Sequence, residues 1–275
     1  MKTIIAVGIL ALVTALPIFA HPGIGIVTNS KGEIFYTDTE HVWKISPDGK
    51  SKKVVVPNVH THELYMDSQD NLYGEHLWYE GEASDKWGHY VWKYDARGKL
   101  IKVKPDAEGF LKNYSFVRDK AGNMYQLISS KNGSDWMKIS PKQKVEWLAT
   151  VPTKDVRWQF YSRNGTFYYV DDNDLCKIVE TQAVVVTPDV DGIKGEDPKR
   201  KPNNSIFGMW DDPAGNIYVA VTGKKTVKKI AADGRVLVVY QSPGTWMPTG
   251  GIVDQKGQLW VLEANEVNHV RVVKL

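Results

Sequence analysis

One pattern recurs six times along this chain: a short polar turn, then a strand start that runs polar, apolar, aromatic. The copies read NSKGEIFYT, DSQDNLYGE, DKAGNMYQL, SRNGTFYYV, DPAGNIYVA and DQKGQLWVL. Their turn positions are Gly32, Asp70, Gly122, Gly165, Gly215 and Gly257, at successive spacings of 38, 52, 43, 50 and 42 residues. Recurrence at that period marks a chain assembled from repeated supersecondary units. Glycine reaches the positive φ of such a turn at little cost, and aspartate is a tolerated substitute.

A second signature follows each turn: VWKISPDGK, VWKYDARGK, WMKISPKQK, LCKIVETQA, VKKIAADGR and VRVVKL. These alternate as strands do, and most end in a further turn such as Pro47-Asp48-Gly49 or Ala232-Asp233-Gly234. Another apolar strand follows in most copies, as in SKKVVVP and RVLVVYQ. Each unit is thus a four-stranded meander, and no helical periodicity competes. The prediction is an all-β, six-bladed β-propeller of four-stranded antiparallel blades. Trp43, Trp92 and Trp136 recur in the third strand and are expected to pack between blades. Tyr218 and Trp260 open the second strand of the two clearest copies and are expected to be buried. The sixth copy stops after its third strand, so the ring is expected to close by packing a three-stranded last blade on the first.

Two copies carry a resemblance. MPTGGIVDQKGQLWVLEANEVNHVRVVKL and SIFGMWDDPAGNIYVAVTGKKTVKKIAADGRV resemble the NHL-type repeat: Pro-x-Gly, three apolar residues, Asp, a Gly-Asn turn and an aromatic strand. The resemblance covers nearly all of residues 21–275, with repeats two to four matching loosely. Related propellers include the gluconolactonase-like family, streptogramin lyase and peptidylglycine amidating lyase. These share a fold and differ in reaction, so the likeness implies architecture and not activity. The gluconolactonase-like pattern implies a metal held by a glutamate and Asn or Asp residues at the blade mouths. Here the glutamate would be Glu63, with Asn113, Asp171 and Asn204 placed by position. Amidating-lyase-like propellers use histidines on zinc.

Residues 1–20 read as a secretory signal: Lys2, an uncharged apolar run from Ile4 to Leu16, then Pro17 and Ala20. Residues 21–275 form one propeller domain, expected to be secreted or periplasmic, monomeric and free of the membrane once the signal is removed. A net charge of +3 with scattered basic residues argues against nucleic acid as a partner. Cys176 is the single cysteine, so no disulfide forms within the chain, and its apolar setting reads as a small buried hydrophobe.

The seven histidines are distributed unevenly. His21, His60 and His62 precede or begin first strands, and His41, His76, His89 and His269 lie in or beside connections between second and third strands. All seven map to the face opposite the Gly-Asn turns, in neighbouring repeats six, one and two. Two readings stand: a polar rim, or a metal site on that sector, for which neutral imidazole is the usual ligand. The metal candidates are His60, His62, His76 and His89, with zinc, copper or calcium as the ion. Cleavage after Ala20 would also leave His21 with a free amine, a chelate suited to copper.

Alignment of the first strands isolates Glu63. Four residues before the first turn residue stand Gly25, Glu63, Ser115, Trp158, Gly208 and Gly250. This position lines the channel mouth, where small residues let six strands converge. A carboxylate there is costly unless paired. Glu63 reads either as half of a salt bridge or as the catalytic general base. His60 and His62 share strand parity and Glu63 points the other way.

The connection from Gly74 to Tyr90 is the longest between second and third strands. It carries Trp78 and Trp87; Trp158 and Trp246 join them on the same face as substrate-binding candidates. The alternative is that the loop folds its aromatics onto its own blade. No nucleophile elbow, phosphate loop or dinucleotide fingerprint is present. Two functions remain: a metal-dependent hydrolase or lyase acting on a small polar substrate, or a non-catalytic propeller binding a carbohydrate, peptide or protein through the Trp/His-rich face.

Overall fold

A computed structural model describes residues 22–153, 155–192 and 205–275. The expected signal segment, His21 and Asn204 lie outside the described residues. Six antiparallel sheets follow one another along the chain. Blade 1 holds β1 (Ile26–Thr28), β2 (Ile34–Thr37), β3 (Val42–Ile45) and β4 (Lys52–Val56). Blade 2 holds β5 (Leu64–Met66), β6 (Leu72–Tyr79), β7 (Trp87–Tyr94) and β8 (Leu100–Glu108), and blade 3 holds β9 (Met124–Ser130), β10 (Gly133–Ile139) and β11 (Val145–Val151). Blade 4 comprises β12 (Val156–Tyr161), β13 (Phe167–Asp171), β14 (Asp174–Val179) and β15 (Gln182–Thr187). Blade 5 comprises β16 (Met209–Asp211), β17 (Ile217–Val221), β18 (Thr226–Ile230) and β19 (Val236–Gln241); blade 6 ends the chain with β20 (Met247–Val253), β21 (Leu259–Ala264) and β22 (Val270–Lys274). The chain is a six-bladed β-propeller, and no described helix is long and apolar enough to cross a membrane.

The recurrent turn explains why the pattern is a repeat. In all six copies the N–H of the turn residue donates to the carbonyl three residues earlier, as from Gly32 to Asn29 at 3.1 Å and from Gly215 to Asp212 at 3.0 Å. In five copies the first residue's side chain accepts two further backbone N–H groups, and in the fourth Ser162 Oγ accepts one, from Thr166. The Asp212 carboxylate takes Ala214 N at 2.9 Å and Asn216 N at 3.0 Å, and Asp254 takes Lys256 N at 2.8 Å and Gln258 N at 2.9 Å. Its other oxygen receives the ring of the second strand: Tyr73 on Asp67, Tyr125 on Asp119, Tyr218 on Asp212 and Trp260 on Asp254. In copies one and four, where Asn29 and Ser162 replace the acid, Phe35 and Tyr168 stand at the ring position without that bond. Burial raises the Asp212 and Asp254 carboxyls, but these hydrogen bonds outweigh it and hold both below the usual range.

Ring closure follows the expected route. Blade 6 packs its three strands on blade 1, with Trp260 and Leu262 in one core cluster with Ile26, Ile34, Tyr36 and Ile45. Thr249 Oγ1 donates to the Gly23 carbonyl at 3.0 Å across the join. The inner-strand glycines are required where expected: a Cβ on Gly208 would meet the Thr249 carbonyl at 2.5 Å, one on Gly25 would meet Leu64 N at 2.9 Å, and one on Gly250 would collide with the Ile24 carbonyl.

Blade 3 departs from the four-stranded expectation. Its innermost segment touches the sheet through a single bridge, Arg118 to Met124. Ser115 Oγ accepts the Val117 N–H at 3.0 Å, a local turn that draws the chain off a strand path. Side chains fill the gap. Gln159 of β12 accepts Leu127 N–H at 2.7 Å and donates to Leu127 O at 3.1 Å, as a missing strand would.

Removing the Asp212 hub with Asp212→Ala orphans several buried donors and should lower stability by about 2–4 kcal/mol. Trp260→Ala should cost about 3–5 kcal/mol through the cavity at the closing blade. Urea denaturation monitored by far-UV circular dichroism checks both, and an unchanged midpoint in either variant contradicts the proposed repeat register.

Candidate functional site

The three blades whose inner position is not glycine lie side by side: Glu63 in blade 2, Ser115 in blade 3, Trp158 in blade 4. Where glycine lets inner strands touch, the ring is shut; across this sector it opens into a cavity of about 790 Å³. Trp78, Tyr79, Trp87 and Phe110 wall one side, and Tyr114, Phe116 and Trp158 another. Polar groups are His62, Glu63, Glu75, His89, Gln126, Arg157 and Gln159. Glu63 also lines the central channel, a second cavity of about 600 Å³. It stands where the two spaces meet.

The segment from Gly74 to Tyr90 is a long hairpin and not the expected open loop. β6 runs to Tyr79 and β7 starts at Trp87, with Glu75 opposite Val91, His76 opposite Tyr90 and Leu77 opposite His89. Strand alternation sorts its residues onto two faces. Glu75, Leu77, Trp87 and His89 share the face toward blade 3. His76 and Trp78 have the other parity: His76 is stacked on Tyr90 with ring centroids 4.8 Å apart, and the Trp78 ring lies over Gly88 while still bordering the cavity.

His60 and His62 are held by the continuation of strand pairing. Leu77 N–H donates to His60 O at 2.9 Å, and the N–H groups of Ile24 and Gly25 both donate to His62 O at 2.9 Å. The two rings meet edge to face, Nε2 to Nε2 at 3.2 Å. The His60 backbone N–H donates to His76 Nδ1 at 3.0 Å. That bond requires an unprotonated Nδ1, and burial lowers the His76 pKa to match.

Glu75 is the hub that sequence reading missed as such. His62 Nδ1 lies 3.6 Å from one oxygen, His89 Nε2 3.6 Å from the other. His89 Nδ1 lies 2.8 Å from the Gly109 carbonyl. A carbonyl only accepts, so that nitrogen carries hydrogen and Nε2 is the nitrogen turned toward Glu75. The strict alternation of Glu75, Leu77 and Tyr79 was the signal available in the sequence.

Glu63 lines the same cavity as His62, Glu75 and His89. It is partly buried, and among the described residues no hydrogen bond or ion pair ends on its carboxylate, so the salt-bridge alternative finds no partner there. Burial and then the charge of Glu75 push its pKa up to about 7. Trp246 stands apart from the other tryptophans, under the Arg271 guanidinium of blade 6 at 4.1 Å. The six described histidines all lie toward the expected face. Cys176 is buried in the core and its thiol is pushed up to about 11, which makes it unreactive. Asp171 accepts the Asp155 N–H at 2.8 Å within its hairpin.

The resemblance implies a metal at the blade mouths. His60 and His62 bring two nitrogens within chelating distance, but among the described residues no three His, Cys, Asp or Glu side chains are grouped to hold an ion.

These features define a six-bladed propeller with a lateral aromatic cavity on its loop-bearing face. No protein-family model matches the chain, and no curated protein matches it. Solved structures share its fold. An auxiliary nutrient binding protein from Bacteroides thetaiotaomicron VPI-5482 aligns with a TM-score of 0.58 and 10% identity, over 92% of this chain and 69% of that one. A structural-genomics target assigned as a gluconolactonase gives 0.56 and 12%, over 91% and 88%. The luciferin-regenerating enzyme gives 0.54 and 12%, over 88% and 83%. Identities this low establish architecture alone.

Glu63 provides a direct check on the site's electrostatics. The folded residue keeps its proton up to about pH 7, whereas the unfolded one loses it near 4.5. The folded state binds more protons between those values, so stability falls as pH rises through that window. Glu63→Gln should leave stability unchanged at pH 4 and raise it at pH 8 by up to about 3 kcal/mol. Urea midpoints at the two pH values measure this; equal effects at both would contradict the raised pKa.

Proposed function

We propose that this chain is an exported, monomeric enzyme that takes a small molecule into the cavity between blades 2, 3 and 4 and acts on it by hydrolysis or elimination. Glu63 is the general base. The observation that carries this reading is the unpartnered Glu63 carboxylate, placed where three sister blades carry glycine and facing an aromatic-walled space. A base that titrates near neutrality both holds its charge and accepts a proton effectively. The His62–Glu75–His89 group lines the same cavity. Trp78, Trp87 and Trp158 supply the apolar surface that orients the substrate. His60 and His62 bring two imidazole nitrogens together, and no third ligand is grouped with them among the described residues, so every step is assigned here to the side chains.

A second reading keeps the cavity and drops the chemistry. The aromatic rings in the walls favour it, since binding alone requires that surface. A panel of esters, lactones and amides, assayed with and without chelator, separates the two. Turnover should survive chelation and fall by about 10²–10⁴-fold in Glu63→Gln while binding persists. Undiminished turnover in Glu63→Gln eliminates the assigned base, and loss of turnover on chelation returns a metal to the site. Saturable binding with no turnover across the panel favours the second reading.

A further inference from the structure

The cavity has a charge imbalance that its own residues do not resolve. Glu63 brings a carboxylate into it, and no lysine lines the walls. Arg157 is the single permanent cation in the lining, and its guanidinium lies against Asp155 at 2.5 Å. His62 and His89 are directed at Glu75. An anionic ligand would meet an unpaired carboxylate at the floor, and a neutral one would leave that carboxylate without a partner.

The walls show the same imbalance in another form. This fold repeatedly seats cations on its aromatic rings: Lys52 lies 4.2 Å from the Trp43 ring, Arg271 4.1 Å from Trp246 and Lys274 4.8 Å from Trp260. Among the described residues, none of Trp78, Trp87 and Trp158 carries a side-chain cation on its face. These are the three tryptophans that line the cavity. Phe110, 78% exposed and edge-on to Trp87 at 4.6 Å, extends the aromatic surface to the lip. Indole faces attract cations, most strongly where water is displaced.

We propose that the molecule taken by this cavity carries a quaternary ammonium or protonated amine, seated on the tryptophan faces with Glu63 as its counter-ion. This rests on the reading of the cavity as the binding site, and it names the ligand class. The cavity is larger than an ammonium group alone needs, so the cation is one end of a longer molecule. An ammonium beside Glu63 also favours the ionised form that a base requires.

Three probes of one shape isolate the charge: choline, the neutral 3,3-dimethylbutan-1-ol and the anion 3,3-dimethylbutanoate. Each is titrated calorimetrically into the full chain at pH 8. Choline should bind about tenfold more tightly than the alcohol, and the anion more weakly than either. In Glu63→Gln choline should lose most of that advantage while the alcohol binds as before, which also shows that the variant is folded. Equal affinity for choline and the alcohol, or preference for the anion, overturns the proposal and leaves the cavity as a site for uncharged molecules. A choline advantage that survives in Glu63→Gln overturns the role of Glu63. Failure of all three probes to bind overturns both the ligand class and the site.

Discussion

The carboxylate at the head of the first turn holds this fold in register. In four of the six blades it accepts both two backbone N–H groups of the turn and the polar tip of the aromatic ring that opens the second strand, with Asn29 and Ser162 standing in its place in the other two. One buried acid therefore fixes the turn, the stagger of two strands and the orientation of the ring that packs between blades. Such an acid is stable only because every hydrogen bond it can accept there is formed. The rings in turn make the inter-blade cores, such as the cluster of Tyr218 with Trp210, Val253 and Val261. The six blades thus depend on a local interaction repeated, with no requirement for a long-range staple.

A second constraint comes from convergence at the axis. Inner strands of blades 5, 6 and 1 approach so closely that glycine is the residue that fits, at Gly208, Gly250 and Gly25. Blades 2, 3 and 4 carry Glu63, Ser115 and Trp158 at the same level, and these cannot be brought together in the same way. Blade 3 also gives up its inner strand, leaving Gln159 to satisfy Leu127 across the gap. The cavity is the result of both departures: one sector of the ring cannot close, and aromatic side chains line what remains open.

Much of this was legible in the sequence because it is local. The six turns, the buried Tyr218 and Trp260, the convergence glycines and the closing blade all follow from residues a few positions apart. The candidate site was legible only in part. His60, His62, Glu63, Trp78, Trp87, His89 and Trp158 were found because face and blade can be counted from turns. His76 was grouped with them because the stretch from Gly74 to Tyr90 reads as a loop. Once it is a hairpin, alternation sends His76 to the opposite face and makes Glu75 the hub. Trp246 has the right face but the wrong sector: blade 6 lies across the ring from blade 3. The missing strand of blade 3 had no positive signal, since Asp119 and Tyr125 keep the turn intact while the residues before them leave the strand path.

Glu63 is where the fold's preference and the residue present disagree most. Its position tolerates glycine in three blades, and a charged group there is disfavoured by burial and by the neighbouring Glu75. A hydrophobic or small residue would remove that penalty. The surroundings do not compensate for it: the nearby histidines are engaged with Glu75, and Gln126, Gln159 and Arg157 of the walls are bonded to other groups. Local rules broken without internal compensation concentrate at sites where a ligand supplies what the protein omits. At Glu63 the omitted element is positive charge.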